Sequence, residues 1–153
     1  LYSSAASDVY KRQEHGPRGG DEINIPQKGK NYGWPLATWG INYSGFKIPE
    51  AKGEIVAGTE QPVFYWKDSP AVSGMAFYNS DKFPQWQQKL FIGALKDKDV
   101  IVMSVNGDKV TEDGRILTDK GQRIRDVRTG PDGYLYVLTD ESSGELLKVS
   151  PRN

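Results

Sequence analysis

Short apolar runs separated by polar turns dominate the chain from residue 63 onward. β-Branched, aromatic and aliphatic residues gather at 63–66, 74–78, 90–95, 100–105, 124–128, 134–139 and 145–149, each about the length of one strand. Between them lie Asn106-Gly107-Asp108, Asp113-Gly114, Pro131-Asp132-Gly133 and Ser142-Ser143-Gly144, where Gly or Asn supplies positive φ and Pro presets a turn. No segment shows the 3.6-residue apolar period of an amphipathic helix. Closely spaced strands with short turns predict an all-β protein: an antiparallel sandwich, barrel or propeller.

An internal echo narrows that choice. Leu90-Phe91-Ile92 leads through a polar turn to Ile101-Val102, and Leu135-Tyr136-Val137 leads to Leu146-Leu147, both pairs displaced by 45 positions. A repeat of about 45 residues is the size of a four-stranded propeller blade. Residues 14–153 then hold about three blades, fewer than the roughly 4 to 8 that close a propeller, so the expectation is a fragment. Residues 33–61 fit no blade and read as a long excursion rich in aromatic and small residues, of the kind that often carries a site. Residues 1–13 lack the alternation, and Asp8 to Gln13 resembles the translation of a sequencing adapter. This segment is therefore read as non-native and set apart from functional reasoning.

Composition removes several classes of function. With 20 basic and 20 acidic residues among 153, there is no basic field to concentrate nucleic acid or anionic membrane. The absence of Cys rules out disulfides, thiolate metal sites and a Cys nucleophile. No apolar run approaches the roughly 18 residues of a membrane span.

Two clusters could carry chemistry. Glu14-His15-Gly16-Pro17-Arg18-Gly19-Gly20-Asp21-Glu22-Ile23-Asn24 combines a pliable backbone with several side-chain oxygens, the ligand type that Ca²⁺ requires. An ordinary surface loop has the same composition, and the spacing is not that of an EF-hand. His15 is the single histidine and has no evident triad partner. The second cluster is basic: Lys96 follows a strand, and Arg123 and Arg125 stand two apart, on one face of an extended chain. Their planar forks suit carboxylates, although the spacing by itself favours a solvated surface pair neutralised by Asp126 or Asp140.

The ordered series EHGPRGGDEIN, KNYGWP, PVFYW, SGMAFY, LFIGALK and RIRDVRTGPDGYLYVLTD resembles the C-terminal half of the soluble PQQ-dependent aldose sugar dehydrogenases. These belong to the glucose/sorbosone dehydrogenase family of six-bladed β-propellers. The resemblance implies oxidation of the anomeric carbon of an aldose to a lactone, with hydride passing to pyrroloquinoline quinone (PQQ) held beside Ca²⁺. It implies cofactor contacts at His15, Gly16, Pro17, Ser69, Lys96, Arg123 and Arg125, with Asp140 in support. Main-chain oxygens of Gly16 and Pro17 would reach the Ca²⁺ at the cofactor, and the Glu22 carboxylate and Tyr32 carbonyl would hold a second, structural Ca²⁺. His15 departs from the Gln common at its position, and Lys67-Asp68-Ser69-Pro70 departs from the usual W-x-P-S/T run.

In that family the catalytic histidine and an R-N-x-Q-G motif lie in the N-terminal half, so the resemblance implies an inactive fragment of an active parent. It further implies an aldose substrate, an unidentified electron acceptor, a periplasmic or secreted location, and a monomer or homodimer at full length. The alternatives are a noncatalytic propeller that binds protein or carbohydrate and a calcium-dependent propeller hydrolase.

Overall fold

The computed structural model describes residues 11–151. The fold is all-β, with ten strands in three antiparallel sheets among the described residues. The one helical element among the described residues is a 3-10 turn at Pro84–Trp86. The chain divides into two compact units, Leu1–Asp68 and Ser69–Asn153. Of the segment 1–13 read as non-native, residues 1–10 lie outside the described residues.

The first unit contains β1 (Arg12–Glu14), β2 (Asp21–Asn24) and β3 (Phe64–Trp66), paired in that order. No named strand lies between β2 and β3, where the sequence predicts an excursion. This segment is tied down by isolated bridges, Arg18 with Ile41 and Ala37 with Gly53. Ile23, Ala37, Ile48 and Trp66 are buried. Tyr32 fastens the segment to β2 by donating its hydroxyl to the Ile25 carbonyl at 2.7 Å and accepting from the Gln27 N–H at 2.7 Å.

The second unit has a four-stranded sheet of β4 (Val72–Phe77), β5 (Leu90–Ala94), β6 (Val100–Asn106) and β7 (Lys109–Ile116). Its partner is a three-stranded sheet of β8 (Ile124–Thr129), β9 (Leu135–Thr139) and β10 (Leu146–Val149). Alternation sends Phe91, Val100 and Val102 into a core shared with Ile124, Val127, Leu135 and Val137. The opposite face, with Leu90, Ile92, Ile101 and Met103, is also buried, so β5 reads as a continuous apolar run. Tyr78 closes the end of this core, fully buried, donating its hydroxyl to the Gly133 carbonyl at 2.7 Å.

The 45-residue echo corresponds to equivalent positions: β5 and β9 are each the second strand of their sheet. The first strands, β4 and β8, begin at Val72 and Ile124, 52 positions apart. The additional seven residues lie in the connection from β4 to β5, which contains the 3-10 turn.

Two bulges set the contact between these sheets. Pairing slips between Val72 and Met75 in β4, and between Ile124 and Asp126 in β8. A Cβ on Gly74 would overlap Asp126 Oδ1 and stand 2.6 Å from Asp126 Cα, while a Cβ on Gly93 would stand 2.8 Å from Ile124 Cγ2. Glycine at both positions permits this approach, and Ser73 donates across it to the Ile124 carbonyl at 2.7 Å.

Candidate functional site

In the second unit, the bulge leaves Arg125 without a partner on β9, because Ile124 faces Thr139 and Asp126 faces Leu138. A bulge bends the strand and re-aims the extra residue. Arg123, just before β8, and Arg125 thereby both reach Asp140. Arg123 donates from Nε at 3.2 Å and Nη2 at 3.1 Å, and Arg125 donates from Nε at 3.2 Å and Nη2 at 2.8 Å. Hydrogen bonds from Arg125 and then Arg123 hold the Asp140 carboxyl below the usual range. The Asp140 N–H donates to the Arg123 carbonyl at 2.7 Å, so the backbone also fixes this geometry.

One carboxylate between two guanidiniums leaves a net positive charge. The arginine side chains remain 42% and 49% exposed, so donors are still available to a second anion. The sequence placed both arginines on one face but left open whether Asp126 or Asp140 answered them. The structure selects Asp140, while Asp126 pairs with Arg128 at 3.0 Å.

Lys96 and Ser69 also meet in this unit. The Lys96 ammonium donates to the Ser69 carbonyl at 2.9 Å, and buried Ser69 accepts the Ala71 N–H at its hydroxyl, also at 2.9 Å. Ala71 has a φ of 59°, an uncommon conformation for a residue with a Cβ.

In the first unit, residues 15–20 form the turn from β1 to β2. Gly16 is packed so closely that a Cβ would overlap the Gly19 carbonyl, and its N–H donates to buried Asp21 at 2.9 Å. Gly19 and Gly20 have φ of 80° and 73° and pack against Gly40. His15 is exposed and Pro17 is half-buried.

The strands on either side of this turn concentrate carboxylates. Glu14 and Glu22 are directly opposite in the β1–β2 register, an arrangement that like charges disfavour. Glu22 is 7% exposed. Burial raises its pKa to about 7, against a hydrogen bond from Asn24 at 3.2 Å, with Glu14 and Asp21 pushing it further up. The Glu14 carboxyl is also raised, by burial. Asn24 Oδ1 is buried without a hydrogen-bond partner. A buried acid beside an orphaned oxygen is chemistry that a cation would satisfy. Among the described residues, no group of three or more His, Cys, Asp or Glu could hold a metal ion, so a calcium site here would need main-chain oxygens as well.

The profile of the family described as Glucose / Sorbosone dehydrogenase matches residues 2–148. The chain belongs to that family. It is 99% identical over 140 residues to Aldose sugar dehydrogenase YliI of Escherichia coli (strain K12), covering 92% of this chain and 38% of that protein. The chain thus spans well under half the length of this relative. The crystal structure of the soluble E. coli aldose sugar dehydrogenase in its apo-form matches 93% of this chain with a TM-score of 0.89 at 97% identity, covering 41% of that chain. A PQQ-bound aldose sugar dehydrogenase from Streptomyces coelicolor shares the fold over 90% of this chain and 38% of its own, with a TM-score of 0.63 at 23% identity. These likenesses identify the sheets as part of the family's β-propeller.

Three features of the site escaped the sequence pattern. The bulge that aims Arg125 has no side-chain signature. Asn24 looked like one loop oxygen among several, yet lies in β2 with its Oδ1 unsatisfied. The pairing of Glu14 with Glu22 depends on the β1–β2 register, which a run of polar residues does not disclose.

Proposed function

We propose that this chain supplies the cofactor-holding part of a PQQ- and calcium-dependent aldose sugar dehydrogenase, which oxidises the anomeric carbon of an aldose to a lactone. The observation that carries this reading is the pair Arg123 and Arg125, both fixed on Asp140 with donors left over. PQQ bears three carboxylates, and two planar guanidiniums on one anchor are a donor set suited to them. The PQQ-bound state of the Streptomyces protein supports the same reading.

In this account, Arg123 and Arg125 orient the cofactor through its carboxylates, with Asp140 holding the guanidiniums in place. Lys96 contributes a further positive charge, steadied by the Ser69 carbonyl. Bound PQQ would accept the hydride from C1 of the sugar. Gly16 and Pro17 would offer main-chain oxygens to the Ca²⁺ at the cofactor, and glycine at 16, 19 and 20 lets the turn close tightly against its neighbours there. The Glu22 carboxylate and Tyr32 carbonyl would hold a second Ca²⁺; buried Glu22 and the unpaired Asn24 Oδ1 suit a cation nearby. His15, exposed on the same turn, would contact the cofactor. The base that takes the proton from the anomeric hydroxyl belongs to a part of the enzyme outside this chain, and the expected location is periplasmic or secreted.

The test is aldose oxidation by the full-length protein, purified without cofactor and then given PQQ and Ca²⁺ with a dye acceptor. Turnover that needs both additions is expected. No turnover, with no Ca²⁺-dependent PQQ binding, would favour a noncatalytic binding propeller.

A further inference from the structure

The turn from β9 to β10 carries a second carboxylate beside Asp140. Asp140 and Glu141 follow β9 directly, and both engage Arg123. The Arg123 main-chain N–H donates to Glu141 Oε1 at 3.0 Å, and its carbonyl accepts the Asp140 N–H at 2.7 Å. Arg123 precedes β8, whose first pairing with β9 is Ile124 with Thr139. Its N–H lies beyond the ladder, and the Glu141 side chain supplies the acceptor that a backbone carbonyl provides within a sheet.

The same arrangement recurs one residue earlier. Gln122 donates its side-chain amide to Glu145 Oε2 at 2.8 Å. Glu145 is itself fixed on buried Thr139, giving its N–H to the Thr139 hydroxyl at 2.8 Å and accepting the Thr139 N–H at 3.0 Å. The turn is thus anchored at its base and grips the two residues that lead into β8.

The guanidiniums explain why that grip matters. Arg123 Nη2 at 3.1 Å and Arg125 Nη2 at 2.8 Å share one oxygen, Asp140 Oδ2, and like charges held this close repel each other. Arg125 belongs to β8 and Arg123 does not, so Arg123 is the residue that a lost N–H bond would release. We propose that Glu141 is a positioning residue for the cofactor: by holding the Arg123 N–H it keeps the Arg123 guanidinium on Asp140, beside that of Arg125, in the geometry that receives a carboxylate of the quinone. The proposal rests on the dehydrogenase reading above and adds to it a residue that acts on the cofactor through Arg123.

The experiment is an absorbance titration of PQQ in Ca²⁺ against the full-length protein and its Glu141→Ala, Glu141→Gln, Arg123→Ala and Arg123→Ala/Glu141→Ala variants. Glu141 is exposed, so its substitution places little burden on folding. Losing one hydrogen bond to a charged acceptor is expected to weaken PQQ binding by about five-fold in Glu141→Ala. Glu141→Gln keeps an oxygen that accepts the same N–H and is expected to restore affinity to within about two-fold of the parent. In the Arg123→Ala background, removing the Glu141 carboxylate is expected to weaken binding no further, because the side chain it positions is gone. A general loosening of the turn would instead weaken both backgrounds equally. Unchanged affinity in Glu141→Ala overturns the proposal, as does a loss of the same size with and without the Arg123 side chain, or a loss in Glu141→Gln as large as that in Glu141→Ala. If the parent protein binds no PQQ in Ca²⁺, the dehydrogenase reading itself fails and the proposal falls with it.

Discussion

Placing a methyl group at Gly74 should disrupt the contact between the two sheets of the second unit. A Cβ there would overlap Asp126 Oδ1 and sit 2.6 Å from Asp126 Cα, and a backbone atom in a paired strand cannot rotate away. Overpacking typically costs about 1–3 kcal/mol and occasionally more; Gly74→Ala belongs at or above about 3 kcal/mol because β8 itself must move. At Gly93 the nearest atoms are Ser73 Oγ at 2.6 Å and Ile124 Cγ2 at 2.8 Å. Side chains can yield there, but Ser73 would lose its bond to the Ile124 carbonyl, so about 2 kcal/mol is expected. Gly29 is the control, with φ of 79° and nothing within 4 Å of an added Cβ; its cost is backbone strain of about 1–2 kcal/mol. Urea denaturation followed by tryptophan fluorescence measures all three, provided the variants keep the parent m-value. A Gly74→Ala variant no less stable than Gly29→Ala would refute the argument that the bulges of β4 and β8 are fitted to each other.

Three further outcomes follow from the same geometry. In chelator, Glu22 should make stability fall as pH rises from about 4.5 through about 7, because the folded state holds its proton to higher pH than the unfolded chain. Subtracting the Glu22→Gln profile isolates that slope, and identical profiles would contradict it. Tyr78→Phe removes a hydroxyl that donates to the Gly133 carbonyl and accepts the Phe83 N–H at 3.2 Å; an unpaired buried carbonyl should cost about 1–3 kcal/mol by urea denaturation, and no loss would mean that water replaces the bond. The chain by itself, whose one histidine is read as a cofactor contact, should show no aldose turnover with PQQ and Ca²⁺ in a dye-coupled assay; appreciable turnover would show that the catalytic base lies within it.

Strands were legible in the sequence where burial imposed a pattern. The prediction for β5 ended one residue late and that for β6 one residue early, because their apolar residues pack on both faces. Strand β7, the longest, was missed because most of its residues are exposed and its pairing with β6 is made by the backbone. Asp113-Gly114 was consequently read as a turn. Both residues lie inside β7, near the register shift that absorbs the irregularity. Strand β2 was missed for the opposite reason, since Asp21, Glu22 and Asn24 are polar yet buried, against the usual correspondence of polarity with exposure. Arg123 and Arg125 were legible as a pair because spacing alone puts them on one side. Their shared dependence on Asp140 was not, because it follows from a bulge and from the position of the β9 end beside the β8 start.

The central claim is that Arg123 and Arg125 hold the carboxylates of PQQ. An absorbance titration of PQQ in Ca²⁺ against the full-length protein and its Arg123→Ala/Arg125→Ala double variant tests it most directly. Removing two charge-assisted contacts should weaken binding by at least about 100-fold, while circular dichroism remains that of the folded protein. Equal affinity in the two proteins would contradict the claim.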